Sequence, residues 1–328
     1  MQIHAIPLKD ILFSGADFDA FIFTFPLHAG PLKDSIHKVG LLHPVCLREH
    51  PQGWQIVCGA RRVLACRELG WRDIPAQTWA ANACATERAL EISLAENTLH
   101  RQLNPMEQAR ALHKFHTLAN WEISKLVTEI APQLGLPQSS EMVQDYLSLL
   151  KLEPEIQVAV ADGSLSPAHA FLLAPLNPPE RTFLFNQVVQ TCLPSLNESR
   201  EIIENLLDLK IMLKKSLPEI LEGKNISAIL HSSLKNPRDK CRFLRIELRR
   251  LRFPQLNRLE DEFAKILSAL GLKNNVQVRH SPYFENNHLD FTVRAQHAEE
   301  LTETIQHLST VSANGGLHKL FDLVKHGV

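Results

Sequence analysis

The 328 residues contain no C-x-x-C pair, no fixed-period repeat and no low-complexity tract. Six cysteines are scattered at 46, 58, 66, 84, 192 and 241. In a chain of this length that scatter does not read as a disulfide framework or a zinc knuckle, so reduced, buried thiols are expected. No apolar run approaches the roughly 20 residues that span a bilayer. Met1–Pro7 lacks a basic start and an apolar core. These features predict a cytoplasmic protein with no membrane partner. Net charge is also nearly absent: 35 Lys and Arg stand against 36 Asp and Glu, for a formal −1. A neutral total leaves nucleic-acid binding open, because such binding needs a local basic patch rather than a global excess.

The length exceeds what one hydrophobic core serves, so several domains are expected. Residues 1–104 alternate between strand and helix patterns. Short strands are predicted at Ile3–Ile6, Phe21–Phe25, Pro44–Leu47, Trp54–Cys58 and Ile74–Thr78, and helices at Pro31–Val39, Arg61–Leu69 and Thr86–Asn97. From Asn104 the pattern becomes helical only. Asn104 suits an N-cap, Pro105 the first turn and Glu107 the third position of a capping box. The helical region is predicted to run over 105–216 and to be followed by a linker over 217–235. The segment 236–328 reads as a small helix–strand–strand–helix unit. The resulting fold class is multidomain α+β.

The most informative local pattern is strand–Gly–Ala–Arg–Arg–helix at Ile56–Cys66. A glycine at a strand-to-helix turn lets backbone approach a ligand closely. The helix N-terminus offers free N–H groups and partial positive charge, a natural anion site. Arg61 and Arg62 add two fixed cations suited to phosphate oxygens. The alternative is a pair of surface arginines on a first helical turn.

Three segments then carry a resemblance. Residues 31–44 (PLKDSIHKVGLLHP) are similar to a first box ending G-L-L-Q-P. Residues 59–65 (GARRVLA) are similar to a second, G-E-R-R-x-x-A. Residues 96–105 (ENTLHRQLNP) are similar to a third, E-N-x-x-R-x-x-L-N-P. Boxes of these kinds in this order resemble the ParB family, with its ParB/sulfiredoxin-like α/β N-terminal domain. Residues 122–152 resemble the same family's helix-turn-helix, with Ile123–Ile130 as first helix and Ser139–Leu150 as recognition helix. The tail is similar in element order to the family's C-terminal dimerisation domain.

The resemblance implies a cytidine triphosphate (CTP) switch or clamp with Mg2+, associated with DNA in chromosome or plasmid partitioning. It implies a homodimer at the nucleoid, with a ParA-like ATPase or another protein as partner. Gly40, Leu41 and His43 would lie near the nucleotide. Gly59, Arg61 and Arg62 would hold phosphates, and Glu96 and Asn97 would meet the metal. Arg101 stands one residue beyond the third-box arginine, where His100 sits instead, and is assigned to the nucleotide. His43 replaces the usual glutamine. Ala60 replaces the glutamate of G-E-R-R, which removes the obvious orienter of a hydrolytic water, so hydrolysis is expected to be impaired. Ala60 also stands where a sulfiredoxin carries its catalytic cysteine, which excludes that activity. Two other readings remain: a nucleotide-dependent protein adaptor without specific DNA reading, and a small-molecule kinase on the same fold.

For DNA, Ser139, Ser140 and Gln144 are the candidate reading positions, Gln144 for adenine and the serines for phosphates or bases. The exposed positions of that helix include no base and two acids, Glu141 and Asp145, although phosphate contacts need Lys or Arg. Positive charge concentrates later. Arg238, Arg242, Arg245, Arg249 and Arg252 recur every three or four residues on one helical face. Arg242, Arg245 and Arg249 are therefore DNA candidates; the alternative pairs them with Glu260, Asp261 and Glu262 of the next helix.

Overall fold

A computed structural model describes residues 3–233, 235–281 and 284–326; the side chains of His100 and His326 lie outside the described set. The chain divides into two compact units, residues 1–191 and 192–328. It is mixed α+β, mostly helical with a small sheet.

The first unit begins with four strands, β1 (Ile3–Pro7), β2 (Val45–His50), β3 (Gly53–Cys58) and β4 (Asp73–Trp79), in the order β1-β4-β2-β3. β4 runs antiparallel to β1 and parallel to β2, and β2 and β3 form a hairpin. Helices α1 (Gly15–Asp19), α2 (Pro31–Val39), α3 (Ala60–Glu68) and α4 (Thr86–His100) interleave with them. Ile6, Val45, Leu47, Ile56 and Ile74 of the strands close on Ile36, Val63 and Cys66 of the helices. Both helix patterns, Pro31–Val39 and Arg61–Leu69, end where glycine follows, and Gly40 and Gly70 adopt positive φ there.

The helical part continues with α5 (Pro105–Leu118), α6 (Ile123–Lys125), α7 (Ser140–Leu149), α8 (Pro154–Asp162), α9 (Pro167–Leu173), α10 (Pro178–Leu184) and α11 (Gln190–Cys192). α5 starts with the complete capping box expected of Asn104 and Glu107. α6 runs on as a π turn over Leu126–Ile130, so the first helix of the helix-turn-helix is not uniformly α.

Phe21–Phe25 is not a strand. Phe21, Ile22 and Phe23 are all buried in succession, which a half-buried strand would not allow. Side chains, rather than a ladder, satisfy the backbone of this segment. Ser93 Oγ donates to Phe21 O (2.7 Å), Lys114 Nζ and Arg110 to Ile22 O (2.8 and 3.1 Å), and Asn104 Nδ2 to Phe25 O (2.8 Å). The Phe25 N–H donates to Glu107 (3.2 Å). A buried loop needs such partners for each polar group.

The second unit contains α12 (Leu196–Leu213), α13 (Leu217–Leu221), α14 (Lys224–Leu230), α15 (Pro237–Arg252), α16 (Pro254–Ala269), β5 (Val276–His280), β6 (Leu289–Val293), α17 (Ala298–Ala313) and α18 (Gly316–His326). Residues 217–235, expected as a linker, carry two short helices. Ser216 and Glu219 form a capping box, and Leu217, Ile220, Leu221, Ile226 and Leu230 are buried. β5 and β6 pair antiparallel, and Phe263, Val278, Leu320 and Val324 form the core beside them.

Candidate functional site

β3 ends at Cys58, and Gly59 turns the chain at φ 87° into α3. A Cβ at Gly59 would meet the Arg62 guanidinium at 3.0 Å, so the turn needs glycine for its conformation and for the close approach of Arg62. α3 has neither a side-chain cap nor an acid in its first turn. Its leading N–H groups, with two arginines beside them, form a concentration of positive charge that favours an anion.

Arg62 donates to His43 O (3.2 Å), Pro44 O (3.0 Å) and the Glu96 carboxylate (2.5 Å). Arg61 donates to His28 O at 3.1 Å. Glu96 and Asn97 come from α4, where Ser93, Glu96 and Asn97 share one face by their three- and four-residue spacing. Asn97 Nδ2 donates to Ser93 O (2.8 Å), and its Oδ1 accepts from Arg101 (3.4 Å). Arg101 is held mainly by Glu107, through bonds of 2.5 and 2.8 Å.

These residues surround a cavity of about 540 Å3, within the range of small-molecule sites. His43, Gly59, Arg61, Arg62, Glu96, Asn97 and Arg101 line it together. Gly40 and Leu41 do not. Gly40 closes α2 through its N–H to Ile36 O (2.9 Å), and Leu41 packs on the core. The spacing of the boxes did not reveal that Phe21–Thr24, Leu32 and Val57 also line the cavity, nor Cys46 and Cys58. Segment 21–24 carries no motif, and the alternation of Phe21–Phe25 predicts a strand rather than a cavity wall. The cavity thus has a cationic end at α3 and an apolar side.

The residues fit a metal only in company with a ligand. Among the described residues no three His, Cys, Asp or Glu groups cluster to hold an ion. Glu96 and Asn97 supply two protein oxygens, which suits Mg2+ carried by phosphates and water. The carboxylate now faces Arg62, so a phosphate that drew Arg62 away would free it.

The helix-turn-helix positions are separate. Ser139 caps α7, its hydroxyl accepting from the Met142 N–H (3.4 Å). Ser140, Glu141 and Gln144 are exposed. Burial, then the nearby Glu141 carboxylate, raises the Asp145 carboxyl above its usual range. In the second unit Arg245 pairs with Glu198 (2.9 Å) and Glu201 (2.5 Å), Arg249 with Glu260 (2.9 Å), and Arg252 with Asp208. Arg242 lies 3.4 Å from Asp239. Much of the arginine stripe is therefore a charged seam with α12 and α16. Of the three acids expected of α16, Glu260 takes part, whereas α12 contributes three acids that adjacency in sequence did not suggest.

Two family models match this chain: the ParB N-terminal domain at residues 29–98 and the ParB HTH domain at residues 101–208. The chain belongs to the ParB family. Among curated ParB relatives, a chromosome-partitioning protein Spo0J of Thermus thermophilus is 31% identical over 175 residues, covering 53% of this chain and 61% of that protein. A nucleoid occlusion protein of Bacillus cytotoxicus is 29% identical over 217 residues, covering 63% of this chain and 68% of its own length. The chain thus spans less than two thirds of the Thermus relative. Among solved structures, a Pnob8-like ParB-N domain aligns over 76% of this chain and 95% of its own, at 16% identity and a TM-score of 0.37. The matched N-terminal model begins after the Phe21–Thr24 wall of the cavity.

Proposed function

We propose that this ParB-family chain is a DNA-associated switch that binds CTP with Mg2+ in the cavity at α3 and α4. The observation that carries the reading is convergence: residues from the second and third sequence boxes, with His43 of the first, line one cavity with its positive end at a helix N-terminus. Arg61, Arg62 and the leading N–H groups of α3 bind the phosphates, and Gly59 lets them approach. Glu96 and Asn97 would hold the magnesium, whose charge would offset that of the triphosphate. The apolar wall at Phe21–Thr24 receives the less polar part of the ligand. Arg101 lies between the cavity and Glu107 of the helical part. A phosphate competing for Arg101 would loosen that attachment, which is how occupancy could reach the DNA-associated domain.

Hydrolysis is slow or absent in this reading. Among the described residues that line the cavity, Glu96 is the one carboxylate, and it is paired with Arg62; Ala60 supplies none. The same scarcity speaks against a kinase, which needs a carboxylate to take the acceptor's proton. The protein acts in the cytoplasm at the nucleoid, as a homodimer, in partitioning, with a ParA-like ATPase or another protein as partner. No described helix is long and apolar enough to cross a membrane.

A second reading, a nucleotide-dependent protein adaptor, is favoured by one observation: α7 exposes Glu141 and contains no Lys or Arg. A gel-shift salt series separates the two. A DNA-associated switch retains duplex DNA at low salt and loses it steeply as salt rises. Absence of retention at low salt, with or without CTP and Mg2+, leaves the adaptor.

A further inference from the structure

Cys46 and Cys58 face each other in the β2–β3 hairpin, as direct register partners beside an irregularity between Cys46 and Leu47. Directly opposed residues of an antiparallel pair place Cα atoms roughly 4.5–5.5 Å apart on one face. That interval lies inside the roughly 4.4–6.8 Å span of disulfides. Both side chains line the cavity. Of the six cysteines, Cys46 alone is half-buried; the other five are buried.

The two thiols are unlike. The hydrogen bond from Cys58, aided by Arg62, holds the Cys46 thiol below its ordinary range despite burial and the nearby Glu96. The same contact, followed by burial, raises Cys58. Burial raises Cys66, Cys84, Cys192 and Cys241. A reachable, more acidic thiol beside a resolving thiol is the arrangement that oxidises reversibly.

We propose that Cys46 and Cys58 are a peroxide-sensitive dithiol that closes to a reversible disulfide in the cavity wall and weakens phosphate binding at Gly59–Arg62. The second half rests on the nucleotide reading above; the first does not. The Cys46 thiolate attacks one oxygen of hydrogen peroxide. An S–O bond forms, the O–O bond breaks, and the departing hydroxide takes up the proton that Cys46 released, becoming water. Cys58, no longer raised by a Cys46 thiolate, gives up its proton and attacks the Cys46 sulfur. The S–S bond forms, the S–O bond breaks, and a second water leaves. Two thiols lose two electrons, and one peroxide is reduced to two waters. The new bond restrains Cys58, the residue before the Gly59 turn. Because the Arg62 guanidinium stands 3.0 Å from the position of a Gly59 Cβ, a shift of the turn reaches Arg62 directly.

The full-length protein is treated with hydrogen peroxide, alkylated, digested without reduction and mapped by mass spectrometry. The expected result is one cross-linked peptide joining Cys46 to Cys58, reversed by dithiothreitol and absent from C46S and from C58S. Cys46 and Cys58 remaining thiols, Cys46 passing to irreversible oxides, or Cys46 joining Cys84 overturns the proposal. CTP affinity, measured on the same samples, should fall about tenfold in the oxidised wild type, or about 1.4 kcal/mol, and stay unchanged by peroxide in C46S, which lacks the thiol that peroxide attacks. Unchanged affinity in a protein carrying the disulfide overturns the regulatory half. Failure of the reduced protein to bind CTP refutes the nucleotide reading, while the peptide map still decides the dithiol.

Discussion

Glu107→Gln tests how the cavity wall is attached to the helical part. The Glu107 side chain is 2% exposed and accepts from four donors: both terminal nitrogens of Arg101, the Phe25 N–H and the Asn104 N–H. Glutamine keeps the shape, but it removes the charge and turns one accepting oxygen into an NH2. Whichever way the amide lies, that NH2 faces two donors. Breaking a buried ion pair costs about 3–5 kcal/mol when the remaining charge is shut away from water. Arg101 is 35% exposed and recovers part of its hydration, which lowers the figure. The stranded backbone N–H adds about 1–3 kcal/mol. With the pair discounted to about 1–2 kcal/mol for that exposure, the expected loss is about 2–5 kcal/mol, read by urea denaturation with an unchanged slope. Hydrogen exchange should rise with it at Phe25 or at Asn104, whichever N–H the new NH2 faces. A loss under about 0.5 kcal/mol, the size of an ordinary surface substitution, would refute the view that Glu107 fastens this wall.

Gly59→Ala should destabilise by about 1–2 kcal/mol through its positive φ and should weaken triphosphate binding further by displacing Arg62; thermal melts with and without CTP separate the two effects. Burial pushes the Lys114 amine down to about 8 from its ordinary 10.5. The unfolded chain therefore binds more protons between those values, and stability should climb with pH across the window, by at most about 1.4 kcal/mol per unit. Lys114→Met should flatten that part of the pH profile. Arg245→Met, which cuts the pairs to Glu198 and Glu201, should lower stability by about 1 kcal/mol in low salt and less in high salt. An Ala60→Glu variant should release phosphate from CTP faster than the wild type in a coupled phosphate assay.

Where local chemistry decided structure, the sequence was legible. The Asn104–Glu107 capping box, the glycines closing α2 and α3, and the turn at Gly59 are set by short-range sterics and hydrogen bonds. Seven of the nine expected ligand positions reach the cavity for the same reason: the motifs sit at the ends of strands and helices that aim them. What stayed hidden depends on contacts distant in sequence. Phe21–Phe25 alternates like a strand, yet its polar groups are satisfied by Ser93, Asn104, Glu107, Arg110 and Lys114. Likewise, the partners of Arg245 lie 44 and 47 residues away on α12, which no helical spacing reveals. Glu107 was legible as a cap but not as the ligand of Arg101, and Cys46 and Cys58 became a pair only through the hairpin register.

The most direct test is calorimetric titration of the reduced protein with CTP, ATP and GTP, with and without Mg2+. The account predicts heat from CTP that needs magnesium, little from ATP or GTP, and loss of the signal in Arg62→Ala. Equal binding of all three nucleotides, or CTP binding that survives Arg62→Ala, would contradict it.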